Sequence, residues 1–189
     1  MLQSIQAVDA GILLWIQEHL RVALLNGPMV LISTLGNAGL FWIILGLVLA
    51  FIPKTRKYGV LALVSLLVCF LFNNILLKNL IARPRPYTQI PELVMLMKCP
   101  ADHSFPSGHA CSSFAVAGSL MWSMGRKWNG IRISALVLAI LIAFSRLYVG
   151  VHYPTDILVG TAIGLLGSFL ICRFCTKPYD KLAQRLRKS

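Results

Sequence analysis

The chain has 189 residues, of which 57% are hydrophobic and only 13% charged, with a mean hydropathy of +0.75. These values exclude an ordinary water-soluble domain and put the chain in a membrane. A net charge of +12 would suggest nucleic acid in a soluble protein. Here the basic residues are grouped at the ends of apolar stretches, which points away from that partner.

In residues 1–26, Asp9, Gln17, Glu18, His19 and Arg21 interrupt the apolar positions Ile12, Leu13, Leu14, Trp15, Leu20, Val22 and Leu24. That pattern predicts an interfacial amphipathic helix rather than a span. No basic segment precedes the apolar positions and acids lie among them, so a cleaved signal peptide is not expected. Residues 29–52 and 59–77 carry no formal charge. Each is long enough to cross a hydrocarbon core of about 30 Å. Residues 104–125 contain only His109 as an ionisable group, and 133–151 and 153–172 hold one charge each, Arg146 and Asp156. The expected fold is all-α: a polytopic membrane bundle of five spans plus the N-terminal amphipathic helix, in a single domain over 1–189.

Twelve Lys and Arg fall in three groups: Lys54, Arg56 and Lys57; Arg126, Lys127 and Arg132; and Arg173, Lys177, Lys181, Arg185, Arg187 and Lys188 in a basic tail, 173–189. Positive charge favours the cytoplasmic side of a cell membrane, which predicts a cytoplasmic C-terminus and puts the connections 79–103 and 146–154 outside, with Cys99 exposed there. The outer loop 83–106 holds five prolines, so it is expected to be irregular and partly rigid. Gly160, Gly164 and Ser168 form a small-residue stripe that predicts a close helix contact. Cys172 and Cys175 lack the second pair that a zinc or redox site would need, and no disulfide framework is expected.

This topology brings Lys78, Arg83, Arg85, Ser107, His109, Arg146, His152 and Asp156 to one end of the bundle. Singly, each has an ordinary reading as a snorkelling lysine, a solvated arginine or an interfacial histidine. Together they suit phosphoryl transfer, which spreads negative charge over oxygens that need fixed cations and donors. Lys78, Arg85 and Arg146 supply the cations. Pro106 is expected to open a helix, leaving the amides of Ser107, Gly108 and His109 as donors, with Gly108 letting an oxygen approach the backbone. Two histidines meet the need for a nucleophile and a general acid. Asp156, four residues after His152 and just past Pro154, can reach back to one imidazole nitrogen. Arg83 is expected as an accessory cation, while Tyr87, Asp102, His103 and Tyr148 receive no role. With six acids in the whole chain, no metal and no cofactor are expected.

Lys78-x6-Arg85-Pro86, Phe105-Pro106-Ser107-Gly108-His109 and Ser145-Arg146-x5-His152-x3-Asp156 match the three-part signature of the type 2 phosphatidic acid phosphatase (PAP2) family, which this sequence resembles from about residue 73 to 164. The resemblance implies that His152 attacks phosphorus to form a phosphohistidine, that His109 protonates the leaving oxygen, and that water then releases phosphate. Small bacterial members of that family hydrolyse undecaprenyl diphosphate, phosphatidylglycerol phosphate, phosphatidate or lipid A phosphates. The outward site favours undecaprenyl diphosphate, which is recycled there. A lipid phosphotransferase and a non-enzymatic phospholipid transporter are the competing readings. The partners expected are a lipid phosphate and the bilayer, with no nucleic acid and no obligate protein partner.

Overall fold

The computed structural model describes residues 2–98 and 100–186. Cys99 and the tail residues Arg187 and Lys188 lie outside the described residues. The described chain is helical, with elements α1 (Leu2–His19), α2 (Ala23–Leu35), α3 (Leu40–Phe51), α4 (Arg56–Phe70), α5 (Lys78–Ile81), α6 (Gly108–Ser123), α7 (Asn129–Tyr148) and α8 (Pro154–Leu186). A π-helical run, Leu71–Leu77, joins α4 to α5.

Three segments are long and apolar enough to cross a membrane: Arg56–Thr88, Arg126–Tyr148 and Pro154–Arg185. A fourth results if α2 and Asn37–Phe51 count as one span bent by 49°. The straight helix expected over 29–52 is therefore broken. Its break lies where Ala38 and Gly39 adopt φ of 52° and 66°, left-handed conformations through which a right-handed helix cannot continue.

Helix α6 has 16 residues, roughly 24 Å at 1.5 Å per residue, and is shorter than these spans. It is the centre of the bundle, buried without interruption from Ala110 to Leu120 and packed by α4, α7 and α8. Small side chains make this possible, because Ala110, Ser113, Ala115, Ala117 and Ser119 let neighbouring backbones close in from every side. Helix α8 uses the predicted stripe for the same purpose. A Cβ on Gly160 would come within 2.5 Å of the Ser107 carbonyl oxygen, and one on Gly164 within 2.6 Å of that of Cys111.

Among the described residues, the basic groups lie at the end remote from the α6 and α8 N-termini. Lys57 at the start of α4 pairs with Asp180 near the end of α8 at 2.7 Å. Arg132 donates to the Met121 carbonyl near the end of α6 at 3.1 Å. Phe51, Leu80, Leu158 and Phe174 point outward with more than half their surface free, as lipid-facing residues do and as a soluble surface rarely tolerates in such density.

Helix α1 is docked on the bundle by one face. Leu13 and Ile16 are buried, and Leu13 packs with Ile90, Leu93 and Tyr153 of the connections between α5 and α6 and between α7 and α8. Gln17 donates to the Glu92 carbonyl at 3.0 Å and Arg21 to that of Tyr148 at 2.7 Å. Val8 and Trp15 lie on the exposed side. The proline-rich loop is irregular, as predicted, and is tied internally by Ser104, whose amide donates to the Arg83 carbonyl and whose hydroxyl donates to that of Pro84.

Candidate active site

His152 occupies the tight connection between α7 and α8. Pro154 starts α8, as expected, and its first turn places Asp156 beside the histidine. Asp156 Oδ2 lies 3.3 Å from His152 Nδ1 and accepts the Tyr153 amide at 2.9 Å. With Nδ1 engaged, Nε2 is the nitrogen left for chemistry, 3.4 Å from Nη1 of Arg85. His152 is 1% exposed. Burial, then Arg85 and Arg146, hold its pKa well below the usual value of 6.5, so the imidazole is neutral at neutral pH, the form a nucleophile requires.

The start of α6 differs from its sequence reading. Pro106 precedes the helix, which begins at Gly108 with Ser107 as its N-cap, because the Ser107 hydroxyl accepts the Ala110 amide. The Ser107 amide donates to the Asp156 carbonyl at 3.0 Å. Ser107 thus joins α6 to α8 and does not line the cavity. Gly108 and His109 do line it, and helix geometry leaves their amides without an intrahelical acceptor. The bare side of Gly108 faces Asn74, whose Oδ1 would lie 2.9 Å from a Cβ there. His109 Nε2 sits 3.1 Å from Oδ1 of Asn37, in the break between α2 and α3. Its ring rests against Gly36, where a Cβ would collide with it at 2.5 Å.

Three buried cations converge here. Arg85 donates to the Val151 carbonyl at 2.7 Å and, through Nε and Nη2, to the backbone and carboxylate of Asp102 at 2.7 and 2.6 Å. Lys78 Nζ meets the other Asp102 oxygen at 2.6 Å. Burial works to raise the Asp102 carboxyl, but Lys78 and Arg85 outweigh it and hold the group below the usual carboxylate range. Arg146, 2% exposed, donates to the Ser33 hydroxyl and lies 3.5 Å from the Met97 sulfur. Among the described residues no carboxylate pairs with it, and its Nε has no partner. A buried charge in that state costs several kcal/mol, a cost that a bound anion would offset.

These groups share a cavity of about 680 Å³. Lys78, Arg85, Gly108, His109, Arg146 and His152 line its polar end, and Ile43, Leu63, Leu66, Leu67 and Phe70 of α3 and α4 line an apolar flank. Asp156 stands behind His152, outside the lining. Arg83 departs from its expected role, because its guanidinium is held by two carboxylates, Asp9 at 2.7 Å and Asp156 at 2.8 Å, and lies 3.9 Å from the centre of the Tyr153 ring. A cation so engaged is not available to phosphate.

Sequence reasoning assigned no role to Asp102, Asn37, Ser33 or Asp9. For Asp9 a signal exists, since positions 9, 13 and 16 lie on one helical face with the buried Leu13 and Ile16. For Asn37 the signal is the Gly-Asn-Ala-Gly run inside an otherwise apolar stretch.

A cationic cavity with paired histidines, opening onto an apolar flank inside a helical membrane bundle, is the equipment of a membrane phosphatase, and likeness to known proteins supports that class. The chain belongs to the PAP2 superfamily, whose family model matches residues 58–179. It is 33% identical over 168 residues to an undecaprenyl-diphosphatase of Sulfolobus acidocaldarius, covering 88% of this chain and 79% of that protein. It is 35% identical over 134 residues to a decaprenylphosphoryl-5-phosphoribose phosphatase of Mycobacterium tuberculosis, covering 70% of this chain and 71% of that one. Among solved structures, a transmembrane PAP2 type phosphatidylglycerolphosphate phosphatase from Bacillus subtilis superposes with a TM-score of 0.73 at 32% identity, covering 92% of this chain and 87% of the other.

Proposed function

We propose that the protein hydrolyses a lipid phosphate or diphosphate through a phosphohistidine on His152, without a metal, and that undecaprenyl diphosphate is its substrate. The observation that carries this reading is Arg146, a buried cation with no carboxylate partner among the described residues, in a cavity that also holds Lys78, Arg85 and both histidines.

Lys78, Arg85 and Arg146, with the amides of Gly108 and His109, hold the phosphoryl oxygens, and their charge grows in value as negative charge spreads over those oxygens in the transition state. His152 Nε2 attacks phosphorus while Asp156 fixes the proton on Nδ1. The bond from phosphorus to the leaving oxygen breaks, and His109 gives that oxygen a proton. His109 then takes a proton from water, whose oxygen attacks the phosphohistidine, and His152 leaves as inorganic phosphate forms.

The apolar flank of Ile43, Leu63, Leu66, Leu67 and Phe70 gives an acyl or prenyl chain a place beside the phosphate, which favours a lipid over a soluble ester. Both carboxylates near the histidines are held by cations, Asp102 by Lys78 and Arg85, and Asp156 by Arg83, which supports metal-independent chemistry. Counting α6 as a crossing would give five spans, and the basic end opposite the site favours chemistry on the outer side of the cell membrane with the C-terminus in the cytoplasm. The Sulfolobus and Mycobacterium relatives are both named for polyprenyl substrates, which favours undecaprenyl diphosphate.

Phosphate release by the purified protein in excess EDTA tests this, with undecaprenyl diphosphate, phosphatidylglycerol phosphate and phosphatidate compared side by side. Turnover that survives chelation and is fastest with undecaprenyl diphosphate is expected. A requirement for added metal would contradict the mechanism, and preference for another lipid would contradict the substrate.

A further inference from the structure

Asp9 sits on the docked face of α1 with 1% of its surface exposed. A buried carboxylate costs several kcal/mol unless it is paired, and apolar side chains alone would suffice to dock the helix. Its oxygens are all used. Oδ2 accepts from Arg83 Nη2 at 2.7 Å and from the Thr155 hydroxyl, and Oδ1 accepts the Thr155 amide at 3.1 Å. Arg83 carries the contact onward, because its Nη1 donates at 2.8 Å both to the Thr155 hydroxyl and to Oδ1 of Asp156. The other oxygen of Asp156 faces His152. A chain of charged groups therefore runs from the N-terminal helix to the imidazole.

We propose that Asp9 is a positioning residue for the reaction, acting through Arg83 to set the orientation and charge of the carboxylate that steers His152. The inference rests on His152 being the nucleophile. One guanidinium shared by two carboxylates leaves the trio with a net negative charge beside the ring. That charge is matched to the positive charge that develops on the imidazole as Nε2 bonds to phosphorus. Without Asp9, Arg83 belongs wholly to Asp156 and neutralises it. Without Arg83, two buried carboxylates lose their counterion. The other charged groups around His152 are Arg85 and Asp102 from the outer loop, Lys78 of α5, Arg146 of α7 and, when protonated, His109 of α6. Cations outnumber anions among them, so the share of Arg83 that Asp156 receives decides how much negative charge the ring feels.

The test uses the full-length protein in detergent with dioctanoyl phosphatidate as the probe. Asp9→Asn should lower kcat roughly ten- to a hundredfold with little change in KM, and Asp9→Glu should restore most of it. Asp9→Asn makes the surroundings of His152 more positive and should move the acid limb of the kcat profile to lower pH. Arg83→Gln makes them more negative and should move it to higher pH. A merely structural role would give no such opposition. Unchanged kcat and limb in both variants, or shifts in the same direction, would overturn the proposal. His152→Ala run alongside separates the two levels. If it is inert while Asp9→Asn and Arg83→Gln behave as wild type, only the role of Asp9 falls. If it turns over normally, the nucleophile assignment falls and the proposal falls with it.

Discussion

The two sides of the cavity are built differently. On the α6–α8 side, His109, Arg146, His152 and Asp156 lie at helix ends within about fifty residues of each other, on elements that pack backbone to backbone through small residues. On the α1–α3 side, Asp9, Ser33 and Asn37 come from a docked helix and a broken one and are themselves outside the recurring motifs. Yet each of the three holds a motif residue or its partner: Asn37 meets His109, Ser33 meets Arg146, and Asp9 holds the arginine that holds Asp156. Under the proposed mechanism, the difference means that one side brings the reacting groups and the other fixes their orientation. Changes on the first side should therefore remove chemistry, and changes on the second should loosen it.

The largest effect expected is from His152→Ala, which should lower kcat by roughly 10⁴-fold or more if the ring is the nucleophile; stopped phosphate-release assays check it. Arg146→Gln comes next, with a loss of roughly 10²- to 10³-fold in kcat/KM, because it removes a cation already stripped of water that, under the proposed mechanism, holds the phosphate. Across the cavity, Asn37→Ala should cost about tenfold in kcat, less than the roughly 10²- to 10⁴-fold that a general acid contributes, since His109 itself remains. A loss as large as that from His152→Ala would break the division between the two sides.

The pH profile sharpens the same contrast. Burial, followed by Arg85 and Arg146, depresses the pKa of His152, so kcat/KM should stay level as pH falls through 6.5 and decline only below it, where the ring gains a proton. Arg85→Gln removes a positive neighbour and should move that decline to higher pH. The smallest effect is expected from Asp102→Asn. Its carboxylate occupies Lys78 and Arg85 where a phosphate would sit, but the side chain is 52% exposed, and such a pair contributes under about 1 kcal/mol, a factor of about five. KM should fall by no more than that, measured with phosphatidate in mixed micelles.

How much was legible in the sequence divides along the same line. Apolar run lengths gave an all-helical membrane fold but not the bend within 29–52, and motif spacing gave Lys78, Arg85, Gly108, His109, Arg146 and His152, all of which line the cavity. Ser107 is legible as a residue at the start of α6, but its cap on that helix is not, because a serine before a helix can cap it as readily as bind an anion. The break at residues 36–39 shows in the sequence only as the Gly-Asn-Ala-Gly run, because run length and hydropathy are the same for one helix or two. Arg83 is expected from the sequence only as an accessory cation, because its partner Asp9, 74 residues away, is not visible until α1 docks. Long-range pairing of that kind is set by tertiary packing and leaves no local period or spacing to read.

The most direct test of the account is rapid-quench trapping with a ³²P-labelled lipid phosphate. A burst of label on the protein is expected, stable in alkali, lost in mild acid, mapped to the peptide containing His152 and absent from His152→Ala. Release of phosphate at the full rate with no labelled protein at any quench time, and in His152→Ala as in wild type, would contradict it.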